Sequence, residues 1–200
     1  MNRAFQFANS STTSLFPYYP IGGDRGASIS LDTSNPLSSA LPYSLKVTPG
    51  STPGSYGFAN PGYYSFEVKP QVYSGSFYVR GSYSGTMTAA LISAFNVNEV
   101  YANLQIPVVS YANNWTQISY QLTPPAPAPS VNNSLAITFD AATATDGSLN
   151  FNLISLFPPT YNSRPNGNRI DLMNTLAGLN PSFLRWGGEL TCFSCRNVRC

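Results

Sequence analysis

The chain has 200 residues, room for one domain or for one domain and part of another. Only 9% of the residues are charged, and the net charge of +2 arises from ten scattered basic side chains, so a nucleic-acid or anionic-membrane partner is not expected. Aromatics make up 14%, with 13 Tyr and 12 Phe, which excludes the composition of a disordered chain.

Abundant Ser, Thr, Asn and Tyr together with few charges suit a β-rich extracellular domain, where hydroxyls and amides supply solubility and aromatics fill strand faces. The opening MNRAFQFANSSTTSLF has no continuous apolar segment, and no later run reaches membrane-spanning length. Sequons for N-glycosylation occur at Asn9, Asn114 and Asn132. These features predict an extracellular protein whose secretion signal lies outside these residues.

In chain order, residues 1–10 are too short to assign. From Ala27 onward, short alternating or β-branched runs are separated by Gly, Pro, Asn and Ser. Strands are expected near 27–31, 44–48, 62–68, 75–82, 86–95, 100–107, 116–123, 134–139 and 148–156. In SFYVRG, alternation puts Phe77 and Val79 on one face and Tyr78 and Arg80 on the other. In WTQISYQL, Trp115, Gln117, Ser119 and Gln121 share one face, and Ile118, Tyr120 and Leu122 share the other. Roughly nine such strands with no helical periodicity between them predict an antiparallel sandwich or jelly roll. The proline-rich Pro124–Ser130 reads as a stiff loop inside that sandwich, not as a linker.

After Leu156 the period changes. Ile170, Leu172, Met173, Leu176, Ala177 and Leu179 fall on one helical face, with a PNG turn before them and Asn180-Pro181 after them. A short apolar run, Ser182–Trp186, then leads into Gly187-Gly188. A helix followed by a buried strand is an α/β element, foreign to a sandwich.

The chain contains no His, which removes Ser-His-Asp and Cys-His catalysis and most zinc sites. No metal or other cofactor is expected. Eight carboxylates remain, at Asp24, Asp32, Glu67, Glu99, Asp140, Asp146, Asp171 and Glu189. Glycosidic acid/base work needs two in one cleft; Glu67 and Asp140 could meet, but nothing in the spacing pairs them. Cys192, Cys195 and Cys200 all fall in the terminal segment, and one CxxC without His is a weak metal or redox signal. The exposed-ring chemistry of sugar recognition has candidates in Tyr63, Tyr64, Tyr78, Tyr83, Tyr111, Trp115 and Tyr120, foremost Tyr63, Tyr64 and Trp115. For any one of these rings, core or strand-face packing is the commoner role.

Several stretches resemble the fungal α-L-arabinofuranosidases of glycoside hydrolase family 51. They are NRAFQ, ASISLDTSNPLSSALPYSLKV, GFANPGYYSFEVKPQVYSGSFYVRGSY, WTQISYQLTP, and SLNFNLISLFPPTYNSRPNGNRIDLMNTLAGLNPSFLR. The resemblance implies a retaining (β/α)8 barrel interrupted by a carbohydrate-binding-module-like sandwich. It implies removal of terminal arabinofuranose from arabinoxylan and arabinan of plant cell walls. On this view 1–20 is a remnant of a barrel helix and linker, 21–160 the sandwich, 161–188 a helix-strand piece of an incomplete barrel, and 189–200 a divergent tail. Arg185 matches a subsite Arg, but Glu189 stands where the family has Asn, and both family catalytic Glu residues would lie further downstream. The chain alone is therefore expected to be inactive. A stand-alone sugar-binding or structural sandwich is the alternative.

Overall fold

Runs of β-branched and aromatic residues, punctuated by Gly and Pro, fold into strands whose pairings are all antiparallel. The computed structural model describes residues 5, 8–9, 12–13, 15–62, 65–165 and 167–180. The chain divides into two compact units, Met1–Pro159 and Thr160–Cys200.

In the first unit, β1 (Ala8–Asn9) and β2 (Thr12–Thr13) form a small ribbon. The sandwich strands follow as β3 (Tyr19–Ile21), β4 (Ser28–Asp32), β5 (Ser44–Thr48), β6 (Ser55–Asn60) and β7 (Tyr73–Arg80). The set is completed by β8 (Tyr83–Ser93), β9 (Val100–Ser110), β10 (Thr116–Leu122), β11 (Asn133–Asp140) and β12 (Leu149–Phe157). They build two five-stranded sheets, ordered β10-β7-β12-β5-β4 and β3-β6-β11-β8-β9. Only β4–β5 and β8–β9 are sequential neighbours within a sheet; elsewhere the chain crosses from one sheet to the other. The proline-rich loop makes one such crossing, because β10 pairs with β7 while β11 pairs with β6 and β8. The last two strands of the sandwich, β11 and β12, are the central strands of the two sheets.

Alternation sorts the side chains. Phe77 and Val79 share one face, as expected, and it is the inward one; Tyr120 and Leu122 also point inward, with Ile118 partly covered. Phe151 of β12 is the centre of the core. Its ring meets Phe58 at 5.0 Å, Phe77 at 5.9 Å and Phe139 at 6.2 Å, so it ties strands of both sheets together. Burial of this kind, at about 25 cal/mol per Å² of apolar surface, is the main force closing the sandwich.

Within the two five-stranded sheets, two strands differ from expectation. The segment expected as a strand at 62–68 is a loop in its described residues, with Gly62 and Ser65 at positive φ, and the strand lies earlier, at Ser55–Asn60. Gly57 conceals it from a propensity reading. A Cβ there would stand 1.9 Å from the Ile137 carbonyl oxygen of β11, so close strand approach demands the residue that otherwise marks a turn. The short edge strand β3 was also not expected; its Pro20 is tolerated because only β6 flanks it.

In the second unit, a tight turn leads into helix α1 (Ile170–Gly178). Tyr161 N donates to Asn168 O at 2.9 Å, and Thr160 Oγ1 donates to Arg164 O at 2.7 Å. Arg169 forms an ion pair with Asp171 at the start of the helix. The predicted helix is present, and its apolar side chains Ile170, Leu172 and Leu176 are exposed. The strand expected at Ser182–Trp186, with Arg185, the Gly pair, Glu189 and the three cysteines, lies outside the described residues. The architecture is thus a mainly β, antiparallel sandwich followed by one helix.

Candidate functional site

The outward face of the β10-β7-β12-β5-β4 sheet carries the most distinctive polar chemistry among the described residues. Because Phe77, Val79, Leu149 and Phe151 point into the core, Ser76, Tyr78, Arg80, Asn150 and Asn152 must point out. Register aligns them across strands. Tyr78 stands opposite Gln117 on one side and Asn152 on the other, Asn150 lies between Arg80 and Lys46, and Asp32 faces Ser44.

Outward polar residues of a sheet are ordinarily wet. Here Ser44 and Asn152 are 0% exposed, Asn150 6% and Asp32 8%. The covering element is the β4–β5 connection, residues 33–43, which folds back over this face as a strap. Asn152 Nδ2 donates to Tyr43 O at 2.8 Å, and Trp115 Nε1 donates to Pro36 O at 3.1 Å. Trp115 precedes β10 at one edge, whereas the strap leaves β4 at the opposite edge.

Beneath the strap, Asp32 is the organising group. Ser34 N and Oγ donate to its Oδ1 at 2.7 and 2.6 Å, and Asn35 Nδ2 and Asn150 Nδ2 donate to its Oδ2 at 3.0 and 2.7 Å. Asn150 Nδ2 also donates to Ser44 Oγ at 2.9 Å. Burial alone would raise this carboxyl, but the donors from Ser34, Asn35 and Asn150 outweigh it and hold the group well below the usual carboxylate range. With four donors, Asp32 is a structural anion. A cluster of three or more metal-ligating side chains is absent among the described residues.

The open half of the face belongs to β7 and β10. Tyr78 is half-buried and donates through its hydroxyl to Gln117 Oε1 at 3.1 Å; Gln117, Ser119 and Gln121 are exposed. Arg80 Nε donates to Ala112 O at 2.7 Å, fixing the loop before Trp115.

Of the foremost ring candidates, Trp115 lies beside this face, and Tyr63 and Tyr64 lie outside the described residues, as does Arg185. Tyr83 and Tyr120 are core residues. Burial raises the Tyr120 hydroxyl, which donates to Ser155 O at 3.0 Å. Among the sequons, Asn9 pairs with Thr12 in the β1–β2 ribbon. Asn114 is exposed, whereas Asn132 is partly covered and accepts a hydrogen bond from Ser65 Oγ at 3.1 Å. Glu67 and Asp140, which could have met, have other partners. Glu67 pairs with Lys69 at 2.8 Å, and Asp140 accepts from Ala142 N at 3.0 Å as the cap of a short turn. Asp146 accepts from Ser82 N at 2.7 Å, and hydrogen bonding from the Ser82 side chain, then from its backbone, lowers its carboxyl. The sequence reading missed the Asp32–Asn150 pair. The only available signal was outward alternation, which does not disclose register.

The fold and this face define a polar-surfaced antiparallel sandwich joined to an α-helical element. No family profile matches the chain. Its sequence is 37% identical over 163 residues to α-L-arabinofuranosidase A of Aspergillus kawachii, covering 81% of this chain and 26% of that one. It is 42% identical over 155 residues to the probable α-L-arabinofuranosidase A of Emericella nidulans, covering 76% of this chain and 27% of that one. An arabinose-bound family-51 α-L-arabinofuranosidase superposes with a TM-score of 0.79 at 38% identity, covering 94% of this chain and 31% of that one. The chain is thus related to the fungal α-L-arabinofuranosidases in sequence and to a family-51 α-L-arabinofuranosidase in fold, as its motifs led us to expect, and it spans about a quarter of the length of these curated relatives.

Proposed function

We propose that this chain is the sandwich-bearing part of an extracellular α-L-arabinofuranosidase, a retaining glycoside hydrolase that removes terminal non-reducing arabinofuranose from arabinoxylan and arabinan. The relationship to arabinofuranosidases over four-fifths of the chain carries this reading. In it, 161–188 belongs to the catalytic barrel, Arg185 touches the sugar subsite, and Asn9, Asn114 and Asn132 are glycosylation positions. The chain by itself does not hydrolyse. Retaining chemistry requires two carboxylates about 5 Å apart. The two catalytic Glu positions of the family have no counterpart among these residues, and of the eight carboxylates Asp32, Glu67, Asp140, Asp146 and Asp171 are each engaged by local donors or cations. The test is release of nitrophenol from a nitrophenyl α-L-arabinofuranoside by the purified 200-residue chain. No turnover is expected, and turnover would overturn the proposal.

A second reading rests on the open half of the outward sheet face, where a half-exposed tyrosine sits among amides and hydroxyls. On this reading the sandwich is a sugar-binding module, not only a support for the barrel.

A further inference from the structure

The outward face of the first sheet is divided in two. Over β12, β5 and β4 the strap seals Asn152, Ser44, Asn150 and Asp32 from solvent. Past the Trp115 contact, along the rest of β7 and β10, Gln117, Ser119 and Gln121 are exposed and the face is open. The strap does not end far from this open half. It bonds Asn152, which shares a register row with Tyr78, and it reaches Trp115, two residues before Gln117. Tyr78 and Gln117 therefore form a floor directly beside a wall.

The groups on that floor narrow the choice of occupant. Ser76, Tyr78, Arg80, Gln117, Ser119 and Gln121 offer hydroxyls, amides, a phenol ring and one guanidinium, with no carboxylate. A nucleic acid would need several cations. A protein partner would need a cluster of large anchors at the centre, and the outward positions of β7 and β10 hold a single aromatic ring, Tyr78. A neutral sugar chain needs one aromatic surface for its C–H face and side-chain donors and acceptors around it. The Tyr78–Gln117 hydrogen bond uses the amide oxygen and leaves the amide N–H groups of Gln117 available as donors.

We propose that the open β7–β10 face binds a neutral oligosaccharide, with Tyr78 as the stacking ring and Gln117 and Ser119 as its hydrogen-bonding partners. This rests on the second reading above. Trp115 is then a positioning residue that holds the wall.

The test uses the whole 200-residue chain with soluble arabinoxylan as probe, polygalacturonate as an acidic control, and calorimetry with affinity electrophoresis as readouts. Arabinoxylan binding is expected, persisting in about 0.5 M salt because no ion pair carries it. Tyr78→Ala and Gln117→Ala should each weaken it by about tenfold or more. Tyr78→Phe, which keeps the ring and the fold, should retain most of the affinity. Binding unchanged in both alanine variants would overturn this site while leaving a sugar-binding module standing. Absence of binding to either polysaccharide would overturn the module reading as well, yet leave the hydrolase relationship to its own assay. Preference for polygalacturonate would overturn the neutral class, and self-association lost in Tyr78→Ala would assign the face to a second copy of the chain.

Discussion

The indole nitrogen of Trp115 donates to the carbonyl oxygen of Pro36 at 3.1 Å, joining residues adjacent to opposite edge strands of a five-stranded sheet. With strands about 4.8 Å apart, those edges are separated by about 19 Å, so the 33–43 segment must cross the sheet to make the bond. Trp115→Phe retains the apolar ring and removes the donor. We expect a loss of about 1 kcal/mol, together with faster amide exchange confined to 33–43. Unchanged exchange there would mean that the Asp32 cluster alone holds the strap.

The Asp32 cluster makes the fold acid-sensitive in a defined direction. Its carboxyl is depressed in the folded state, so its stabilisation is complete above the ordinary carboxylate pKa, about 3.9, and is lost as pH falls from there toward the lower folded value. The melting temperature of the native chain should fall more steeply below about pH 4 than that of Asp32→Asn, which lacks the titrating group. At neutral pH, Asp32→Ala leaves one of the two buried Asn150 amide N–H groups unpaired, the other still meeting Ser44, and should cost about 2–3 kcal/mol in a denaturant titration.

Gly57→Ala should be among the most damaging single substitutions in the sandwich. The added carbon would overlap a backbone carbonyl, not a flexible side chain, so β6 must separate from β11. A loss above about 3 kcal/mol or failure to fold is expected, read by thermal melting.

Phe151→Ala removes the ring that both sheets share. Truncation of a buried phenylalanine costs about 3–5 kcal/mol, and because Phe58, Phe77 and Phe139 all touch it, the near-ultraviolet circular dichroism of the core should collapse with it.

Helix α1 should behave oppositely. Leu172 and Leu176 are each 55% exposed, so their replacement by Gln should leave stability within about 0.5 kcal/mol. Amides of 170–178 should exchange early. Strong protection would show that the helix is self-sufficient.

Much of this was legible in the residues. Alternation in SFYVRG and WTQISYQL assigned the correct faces to Phe77, Tyr78, Gln117 and Tyr120, because a sheet with one buried face imposes a period of two. The helical spacing from Ile170 likewise disclosed α1. What could not be read was register and coverage. Tyr78 and Gln117 are 39 residues apart, and Asp32 and Asn150 are 118 apart; only pairing through β7, β12 and β5 brings such residues together. Local propensity also misplaced one strand, since at Gly57 a packing demand overrode the usual meaning of glycine.

The positions of β11 and β12 set a condition on how this molecule comes into being. Each sheet receives its middle strand last, so a chain made only through residue 130 holds four strands of each sheet as two separate pairs, without the strand that links the pairs. Until Phe157 emerges, those strands present open edges, the state most prone to pairing with other chains. Nascent chains stalled at residue 145 should therefore bind chaperones and remain protease-sensitive, whereas chains stalled well beyond residue 157 should resist digestion. Synthesis must outrun self-association, and the last stretch of the sandwich to be made is the one that closes it.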